Sequence, residues 1–220
     1  MVKKLIQQGA EAKIFLEGDK IIKERIVKGY RHADIDLQIR SRRTKHEAKI
    51  LCKAKELGIN VPFVFNVDKK MRPKDKFILY IEFIEGDKLS EKLNGYDEIK
   101  QFWVMEKLGI EVAKLHNNDL IHADLTTSNV ILKDKEVFII DFGLGFISSK
   151  IEDKAVDLHL IRRALEAKHF MNYGDLFEKF LNGYKKSLLV CKSVGLPGEL
   201  NLFEKIFLRL GKIEARGRYK

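Results

Sequence analysis

The chain has 220 residues, 45% hydrophobic and 34% charged, so it can bury a core as one large domain or two small lobes. Its 42 Lys and Arg against 32 Asp and Glu give a formal net charge of +10. This charge favours polyanions such as nucleotides or nucleic acid, although a lysine-rich solvated surface explains it equally well. Two distant cysteines exclude a disulfide framework and a zinc motif, and they predict a reducing, cytoplasmic location. No signal peptide is visible, and the longest apolar stretch, residues 77–84, is too short for a membrane span.

The first part of the chain predicts a small N-terminal lobe over residues 1–85. Five runs with strand-like composition predict an antiparallel five-stranded sheet. They lie at residues 3–8, 12–16, 20–27, 61–67 and 76–84. A helix over residues 34–57 is predicted between the third and fourth runs, with Asp34 as its cap and Gly58 after its end.

The turn between the first two strands contains a single glycine. It reads Gln8-Gly9-Ala10-Glu11-Ala12. A glycine here can bring backbone N–H groups close to phosphates. One glycine is not the G-x-G-x-x-G of ordinary protein kinases, and by itself the segment is typical of a plain turn. Its position ahead of the motif described below favours a phosphate-covering loop.

Lys23 lies within the third strand, among isoleucines, where a cation either faces solvent or needs an anion. Glu47 precedes Ile50 and Leu51 by three and four residues, so it shares the apolar face of the helix. A glutamate on a buried helix face needs a positive partner. We therefore predict a Lys23–Glu47 pair of the kind that kinase-type sites require. The alternative is an exposed edge-strand lysine.

Residues 24–46 carry many cations interleaved with Tyr30 and His32, which makes this segment a candidate polyanion surface. These cations are Arg25, Lys28, Arg31, Arg40, Arg42, Arg43 and Lys45. A solvated helix face with its leading loop is an equally good interpretation. The C-terminal residues 209–220 are basic as well, and they form either a frayed tail or a second phosphate contact.

The last predicted strand runs through Glu82, Phe83 and Ile84 into Gly86. A strand that leaves a lobe through such a link is a place where an adenine ring pairs with backbone groups. Residues 86–220 then predict a reduced helical C-terminal lobe. Its helices are predicted at residues 97–116, from Glu152 onwards, and near 174–189 and 198–210, with a break at Gly195–Gly198.

The most informative stretch is residues 122–143, HADLTTSNVILKDKEVFIIDFG. His122 and Asp124 form H-x-D, Asn129 follows five residues later, and Asp141-Phe142-Gly143 comes directly after an apolar strand. Phosphoryl transfer from a nucleotide needs these groups, because one carboxylate orients the nucleophile while an amide and a second carboxylate hold metal ions. The alternative is that both aspartates cap loops and Asn129 makes a turn.

Two other residues of this lobe have open roles. Asp157 lies in the second turn of the helix that follows, where it either braces the catalytic loop from below or is a surface acid. His116, at the end of the preceding helix, is interpreted as a packing group.

Several strings together resemble one known family over nearly the whole chain. They are Gln8-Gly9-Ala10-Glu11-Ala12; Ile22-Lys23 with Arg25, Lys28, Tyr30, Arg31, His32 and Asp36; His122-Ala123-Asp124-Leu125-Thr126-Thr127-Ser128-Asn129; Ile140-Asp141-Phe142-Gly143-Leu144-Gly145; Glu152-Asp153-Lys154-Ala155-Val156-Asp157-Leu158; and Arg216-Gly217-Arg218. They resemble the small kinase-like subunit of the KEOPS complex, for which D-L-T-T-S-N and E-D-K-x-V-D-L are specific.

The resemblance implies an α+β, bilobal protein-kinase-like fold related to the RIO kinases. It implies an atypical serine/threonine kinase that acts mainly as an ATPase, with ATP and Mg²⁺ as cofactors, in threonylcarbamoyl modification of the adenosine beside the tRNA anticodon. The implied partners are the threonylcarbamoyl-transferase catalytic subunit, a small activator subunit on the N-terminal lobe, and tRNA.

The resemblance also implies a role for each motif residue. Lys23 would contact phosphates with Glu47 as its helix partner, and Asp124 would be the catalytic aspartate. Magnesium would be held by Asn129 and Asp141. Residues Gln8, Gly9, Ala10, Glu11 and Ala12 would cover the phosphates, and Glu82, Phe83 and Ile84 would contact adenine.

Departures from ordinary protein kinases favour ATP hydrolysis or autophosphorylation over protein phosphorylation. Ala123 replaces the arginine of H-R-D, Thr126 stands where a lysine is usual, and no A-P-E follows D-F-G. The family usually has glycine where this chain has Ala123, a departure expected to matter little unless the position needs a positive φ. A small-molecule kinase of the aminoglycoside type and a non-catalytic tRNA-binding scaffold are the alternatives. The small-molecule kinase needs a larger helical substrate pocket. The scaffold does not need all five residues proposed for chemistry, which are Lys23, Glu47, Asp124, Asn129 and Asp141.

Overall fold

The structure, a computed structural model, describes residues 3–65, 76–190 and 200–217. The chain folds as two compact units. The first comprises residues 1–85 and 141–143, and the second comprises residues 86–140 and 144–220. None of the helices within the described ranges has the length and apolar character that a bilayer crossing requires.

The described part of the first unit contains an antiparallel sheet with the strand order β1–β2–β3–β4 and one long helix. Its elements are β1 (Lys4–Gln8), β2 (Ala12–Glu17), β3 (Lys20–Arg25), α1 (Ala33–Glu56) and β4 (Ile78–Glu82). Central β3 pairs with β2 and β4, and Lys23 lies opposite Ile14 on one side and Leu79 on the other. Buried Ile50 and Leu51 are on the same helix as Glu47, as their spacing predicts.

Over the described residues 61–65, the fifth strand predicted at residues 61–67 does not form as a regular element; residues 66 and 67 lie outside the described residues. Val64 makes an isolated bridge to Ile81, with the Phe65 N–H donating to the Tyr80 carbonyl at 2.9 Å and the Glu82 N–H to the Phe63 carbonyl at 2.8 Å. Pro62 has no N–H to donate, and the Phe63 N–H donates to the Glu82 carboxylate at 3.1 Å instead of a backbone carbonyl. The segment therefore borders β4 without forming a regular strand.

The start of α1 also differs from the prediction. His32 is the N-cap residue, while Asp34 lies inside the first turn. A negative charge there still interacts favourably with the helix dipole. Buried Asp36 accepts hydrogen bonds from Arg40 Nε at 2.6 Å and from the Lys28 N–H at 3.3 Å. Burial acts to raise the pKa of Asp36, but these hydrogen bonds and the neighbouring arginine charges outweigh it and leave the pKa below its usual value.

The second unit is mainly helical. Its described elements are β5 (Asp87–Lys88), α2 (Leu89–Lys92), α3 (Glu98–Asn117), β6 (Leu120–Ile121), β7 (Val130–Lys133), β8 (Glu136–Ile139), β9 (Phe146–Ile147), α4 (Ile151–Lys168), α5 (Tyr173–Val190) and α6 (Leu202–Gly217). The last helix starts four residues later than predicted and runs further, and the predicted break at Gly195–Gly198 lies outside the described residues.

Helices α3 and α5 approach closely at two glycines. A Cβ atom at Gly109 would clash with the Phe180 carbonyl, and one at Gly183 would clash with the Glu106 carbonyl. Beside this crossing, Leu108 and Val112 of α3 and Tyr184 of α5 are fully buried. The crossing thus forms the core of the unit and holds the C-terminal end of α3, from which β6 and the H-x-D loop continue.

Candidate active site

The first unit contains a buried ionic cluster on β3 and α1. Lys23 and Arg25 are spaced i, i+2 on β3, so both side chains extend from one face of the sheet. Lys23 Nζ lies 2.7 Å from Glu47 Oε1, and Arg25 donates to Glu47 Oε2 at 2.6 Å. The predicted Lys23–Glu47 pair is present, and Lys23 is only 7% exposed, so the exposed-lysine alternative is wrong. Arg25 was missed as a second partner, although its spacing from Lys23 was a usable signal.

Asp141 joins this cluster from the D-F-G segment. Lys23 Nζ lies 2.6 Å from Asp141 Oδ1, which also accepts the Gly143 N–H at 3.1 Å. Burial acts to lower the pKa of Lys23, but the charges and hydrogen bonds of Glu47 and Asp141 outweigh it and raise the pKa. Lys23 is therefore an ammonium group at neutral pH. The Asp141 carboxylate is 46% exposed, and its backbone is held at φ 62°.

The second unit contains the H-x-D loop, which runs from β6 to a short 3₁₀ turn before β7. Buried His122 donates through Nε2 to the Ile140 carbonyl at 3.0 Å and accepts the Asp124 N–H at Nδ1. The ring therefore ties the start of the loop to the residue that precedes Asp141 in the chain. It is a structural anchor for the H-x-D loop.

Asp157 of α4 braces this loop. Of its two predicted interpretations, a brace or a surface acid, the structure has the first. The fully buried carboxylate accepts the N–H groups of His122 and Ala123, both at 2.7 Å. It also accepts from His116 Nε2 at 3.2 Å. Burial and the charge of Asp157 raise the pKa of Tyr184, so its hydroxyl stays protonated and donates to His116 Nδ1 at 2.7 Å. His116 is thus a packing and linking group, as predicted.

Ala123 lies at φ 62°, in the left-handed region that favours glycine. Alanine in place of the family's glycine was expected to matter only if this position needs a positive φ, and it has one. A left-handed backbone is energetically unfavourable for alanine. The hydrogen bond from the Ala123 N–H to Asp157 holds the residue in this conformation.

Asp124 and Asn129 lie together at the end of the loop. Asn129 Nδ2 donates to the Asp124 carbonyl at 2.9 Å and to its carboxylate at 3.0 Å. The amide oxygen of Asn129 is then the acceptor of that side chain. The Ile140 N–H donates to the Asn129 carbonyl at 2.9 Å, so the β7–β8 hairpin brings Asn129 beside the residue that precedes Asp141.

The predicted phosphate loop is a tethered turn. Residues 8–11 are exposed and Ala12 is buried, and the Gly9 N–H donates to the Ala12 carbonyl at 3.0 Å. The Glu11 carboxylate pairs with Arg43 at 2.6 Å, and its carbonyl accepts the Ile26 N–H at 3.1 Å. The loop is therefore attached to α1 and to the end of β3.

The predicted adenine segment uses two of its N–H groups internally. The Glu82 N–H donates to the Phe63 carbonyl at 2.8 Å, and the Phe83 N–H donates to the Asp19 carbonyl at 2.9 Å. Ile84 is buried.

Most cations of the candidate polyanion segment are part of internal ion pairs. Arg25 and Arg40 are buried against Glu47 and Asp36, while Arg31, Arg43 and Lys28 have acidic neighbours within 4 Å. Arg42 and Lys45 are the exposed members. On α6, Arg209 pairs with Glu152, Lys212 and Arg216 are exposed, and Arg218 and Lys220 lie outside the described residues.

Within the described residues, no three His, Cys, Asp or Glu side chains form a metal cluster. A magnesium site in a nucleotide enzyme does not need one, because Mg²⁺ binds through one or two side chains and the substrate phosphates. The carboxylate of Asp141 and the amide oxygen of Asn129 are hard oxygen donors of the type that Mg²⁺ prefers. Each of these side chains by itself offers a donor of a type that fits that ion.

Comparisons with known proteins agree with the motifs. Residues 12–155 match the family model of the RIO domain. The chain is 41% identical to KEOPS complex subunit Bud32 of Pyrococcus abyssi (strain GE5 / Orsay), over 99% of this chain and 96% of the relative. It is 43% identical to a probable bifunctional tRNA threonylcarbamoyladenosine biosynthesis protein of Methanocaldococcus jannaschii, over 82% of this chain. The match covers 32% of that longer relative.

Solved structures with low sequence identity share the fold. One is WaaP in complex with acyl carrier protein, with TM-score 0.63 and 12% identity over 98% of this chain and 86% of that one. Another is the Rio2 kinase–ADP/Mg²⁺–phosphoaspartate complex from Chaetomium thermophilum, with TM-score 0.60 and 14% identity. The match covers 97% of this chain and 70% of that one. The predicted protein-kinase-like fold is confirmed. The chain belongs to the RIO-domain family and, within it, to the family of KEOPS complex subunit Bud32.

Proposed function

We propose that this chain is the ATP- and Mg²⁺-dependent subunit of a KEOPS complex. It would act as an ATPase or atypical serine/threonine kinase that supports threonylcarbamoyl modification of the adenosine next to the anticodon in tRNA. The observation that carries the proposal is the buried Lys23–Glu47 pair, with Lys23 Nζ also 2.6 Å from the D-F-G carboxylate of Asp141. A lysine and two carboxylates in this arrangement match the phosphate and metal groups of kinase-type sites.

Each residue has a proposed role in ATP turnover. Lys23 steadies the α- and β-phosphates, and Glu47 keeps its ammonium group in place. Asp124 orients the attacking hydroxyl or water, an effect worth about 10²–10⁴ in rate for a positioned general base. Asp141 and Asn129 hold Mg²⁺, which when bound neutralises charge on the β- and γ-phosphates.

Nucleotide binding would use two segments of the first unit. The turn Gln8–Ala12 covers the phosphates. The adenine ring pairs with the backbone of Glu82–Ile84, and we assign the donor to the Ile84 N–H, because the N–H groups of Glu82 and Phe83 already have carbonyl partners. This assignment predicts that the ring lies next to the end of β4.

The proposed partners are the transferase catalytic subunit, a small activator subunit on the first unit, and tRNA. The names and lengths of the relatives support the first, because the bifunctional proteins extend well beyond the part that this chain matches. For tRNA, the exposed cations Arg42, Lys45, Lys212 and Arg216 are the proposed contacts. A cytoplasmic location stays a prediction from cysteine usage.

The decisive experiment measures ATP hydrolysis by the chain alone, with the transferase subunit, and with tRNA added. We expect partners to stimulate turnover strongly. Phosphorylation of a sugar or amine without partners would favour a small-molecule kinase instead, and ATP binding without turnover under every condition would favour a scaffold.

A matched pair of variants tests the metal assignment. Asp141→Asn should lower turnover at least about 100-fold, since the metal carboxylate is lost while asparagine tolerates the positive φ. Asp134→Asn, an exposed aspartate at φ 54° in the β7–β8 turn, should behave like the wild type. Wild-type turnover in Asp141→Asn would refute the assignment.

A further inference from the structure

A buried histidine beyond the motifs contacts the catalytic loop. His169 follows the last residue of α4 and is 2% exposed. Its Nδ1 lies 2.5 Å from Asn94 Oδ1, and its Nε2 lies 3.2 Å from Thr127 Oγ1. Asn94 Nδ2 in turn donates to the Lys168 carbonyl at 3.1 Å, which directs the oxygen of the amide to the ring. All these residues belong to the second unit.

The two contacts define the tautomer of the ring. An amide oxygen only accepts, so Nδ1 carries the proton and Nε2 is the acceptor for the Thr127 hydroxyl. Burial lowers the pKa of His169, and the charge of Lys168 acts in the same direction. The imidazole is therefore neutral at neutral pH, which leaves Nε2 as the acceptor for the Thr127 hydroxyl.

Thr127 is the point at which His169 meets the H-x-D loop. Its side chain is fully buried, and it opens the 3₁₀ turn Thr127–Asn129 that ends in the proposed magnesium ligand. In the same turn, the Asn129 N–H donates to the Thr126 carbonyl, and the Asn129 amide holds Asp124. A shift of Thr127 would therefore move Asn129 and, through it, the carboxylate of Asp124.

The loop thus has two anchors on α4. Asp157, in the second turn of the helix, holds the start of the loop at the N–H groups of His122 and Ala123. His169, just after the last turn, holds the end of the loop at Thr127. Held at both ends by one rigid helix, the loop keeps its polar side chains in one arrangement.

We propose that His169 is a positioning residue, whose neutral imidazole accepts the Thr127 hydroxyl and so fixes the turn that carries Asn129 and Asp124. The catalytic consequence rests on the proposed ATP turnover, whereas the ordering of the loop does not.

Two substitutions at the same position separate the two hydrogen bonds of the ring. His169→Gln places an amide near the position of Nε2 and keeps an acceptor for Thr127. His169→Asn places its amide near Nδ1, which keeps the contact with Asn94 and loses the one with Thr127. Thr127→Val removes the hydroxyl with little change in volume, and His169→Asn combined with Thr127→Val tests whether the two residues act together.

The readouts are amide hydrogen exchange of residues 124–129 in the full chain, and kcat and KM for ATP in the partner-stimulated assay. We expect His169→Asn and Thr127→Val each to speed exchange in this loop at least about tenfold and to lower kcat by a similar factor, with KM for ATP within about twofold. His169→Gln should retain most of both properties. The combined variant should be no worse than either single one.

Three results would overturn the proposal. Equal behaviour of His169→Asn and His169→Gln would show that the Thr127 contact has no special role. Faster exchange throughout α4 and α5, rather than in the loop, would show that His169 only contributes to stability. Fully additive losses in the combined variant would show that the two residues act separately. If the wild type had no turnover, the proposed function would fail while the exchange measurement still decided the role of His169.

Discussion

At the scale of single residues, Glu47 shows how a buried charge is accommodated. Its carboxylate is 1% exposed, and each oxygen has a cationic partner, Lys23 on one side and Arg25 on the other. A buried carboxylate is tolerated because both oxygens are paired. Removing its charge leaves two buried cations, of which Lys23 keeps Asp141 as an acidic partner.

Glu47→Gln should therefore lower the free energy of unfolding by about 3–5 kcal/mol, the cost of breaking a buried ion pair. Urea denaturation followed by circular dichroism measures this difference. Glu56→Gln, an exposed glutamate near the end of the same helix, is the control and should change stability by less than about 0.5 kcal/mol. A loss below about 1 kcal/mol in Glu47→Gln would contradict the importance of the pairing.

Ala123 represents a second kind of residue-scale constraint, set by the backbone. A non-glycine residue in the left-handed region costs about 1–2 kcal/mol, while glycine loses about 0.5–1 kcal/mol more than alanine through the entropy of the unfolded chain. At φ 62°, the strain of the left-handed alanine is larger than the entropy cost of glycine.

Ala123→Gly should consequently stabilise the protein, by up to about 1 kcal/mol in denaturant titrations. The same substitution at Ala164, within α4, should destabilise by about 0.5–1 kcal/mol, since that backbone is helical. Equal losses in both variants would mean that the left-handed backbone at Ala123 carries no strain.

At the scale of elements, the packing of α3 on α5 supports the catalytic loop, because β6 and the H-x-D motif continue from the end of α3. The crossing depends on Gly109 and Gly183, where each backbone occupies the space of a side chain on the other helix. Close approach of two backbones is a reason for glycine inside a helix despite its low propensity.

Gly183→Ala should destabilise the protein by about 1–3 kcal/mol, because the added methyl group forces the two helices apart. Gly211→Ala is the matched control, since the added atom meets nothing within 4 Å and α6 should gain about 0.5–1 kcal/mol. Differential scanning calorimetry should show shifts of opposite sign. A neutral Gly183→Ala would mean that the crossing readily adjusts.

At the scale of the whole molecule, part of the positive charge behind the net +10 is engaged in ion pairs within the first unit. Between β3 and the middle of α1, five cations have acidic neighbours within the first unit. The exposed cations that remain there are Arg42 and Lys45, and α6 adds Lys205, Lys212 and Arg216. Within residues 24–46, a polyanion would therefore meet two exposed cations.

Binding of tRNA should weaken linearly on a plot of log affinity against log salt between about 50 and 200 mM KCl. Combining Lys212→Gln with Arg216→Gln should reduce the slope by about 2, one for each lost phosphate contact. Combining Arg42→Gln with Lys45→Gln tests the second pair in the same way.

The control for this titration is a variant with Lys185→Gln and Lys186→Gln, which removes the same charge from exposed positions on α5. It should leave the slope close to that of the wild type. If all three double variants had the same slope, the affinity would depend on net charge alone, and the α6 assignment would be wrong.

The sequence by itself predicted what depends on local pattern and motif spacing. Alternating and helical periodicities predicted β1–β3, α1, α3 and α5 within a few residues, because side-chain burial follows these repeats. The spacing from His122 to Gly143 and the helix face of Glu47 predicted the residues proposed for chemistry, since these motifs keep their order along the chain.

The tertiary structure alone decided which hydrogen bonds hold the H-x-D loop in place and what backbone its positions adopt. The sequence left Asp157 as either a brace of the loop or a surface acid, and no local signal predicted that His169 holds the other end of the loop or that Ala123 has a positive φ. Residues 61–65 form no regular strand for the same reason, because the Phe63 N–H donates to the side chain of Glu82, a residue of another element. Hydrogen bonds between distant residues depend on the path of the whole chain, which local periodicity does not contain.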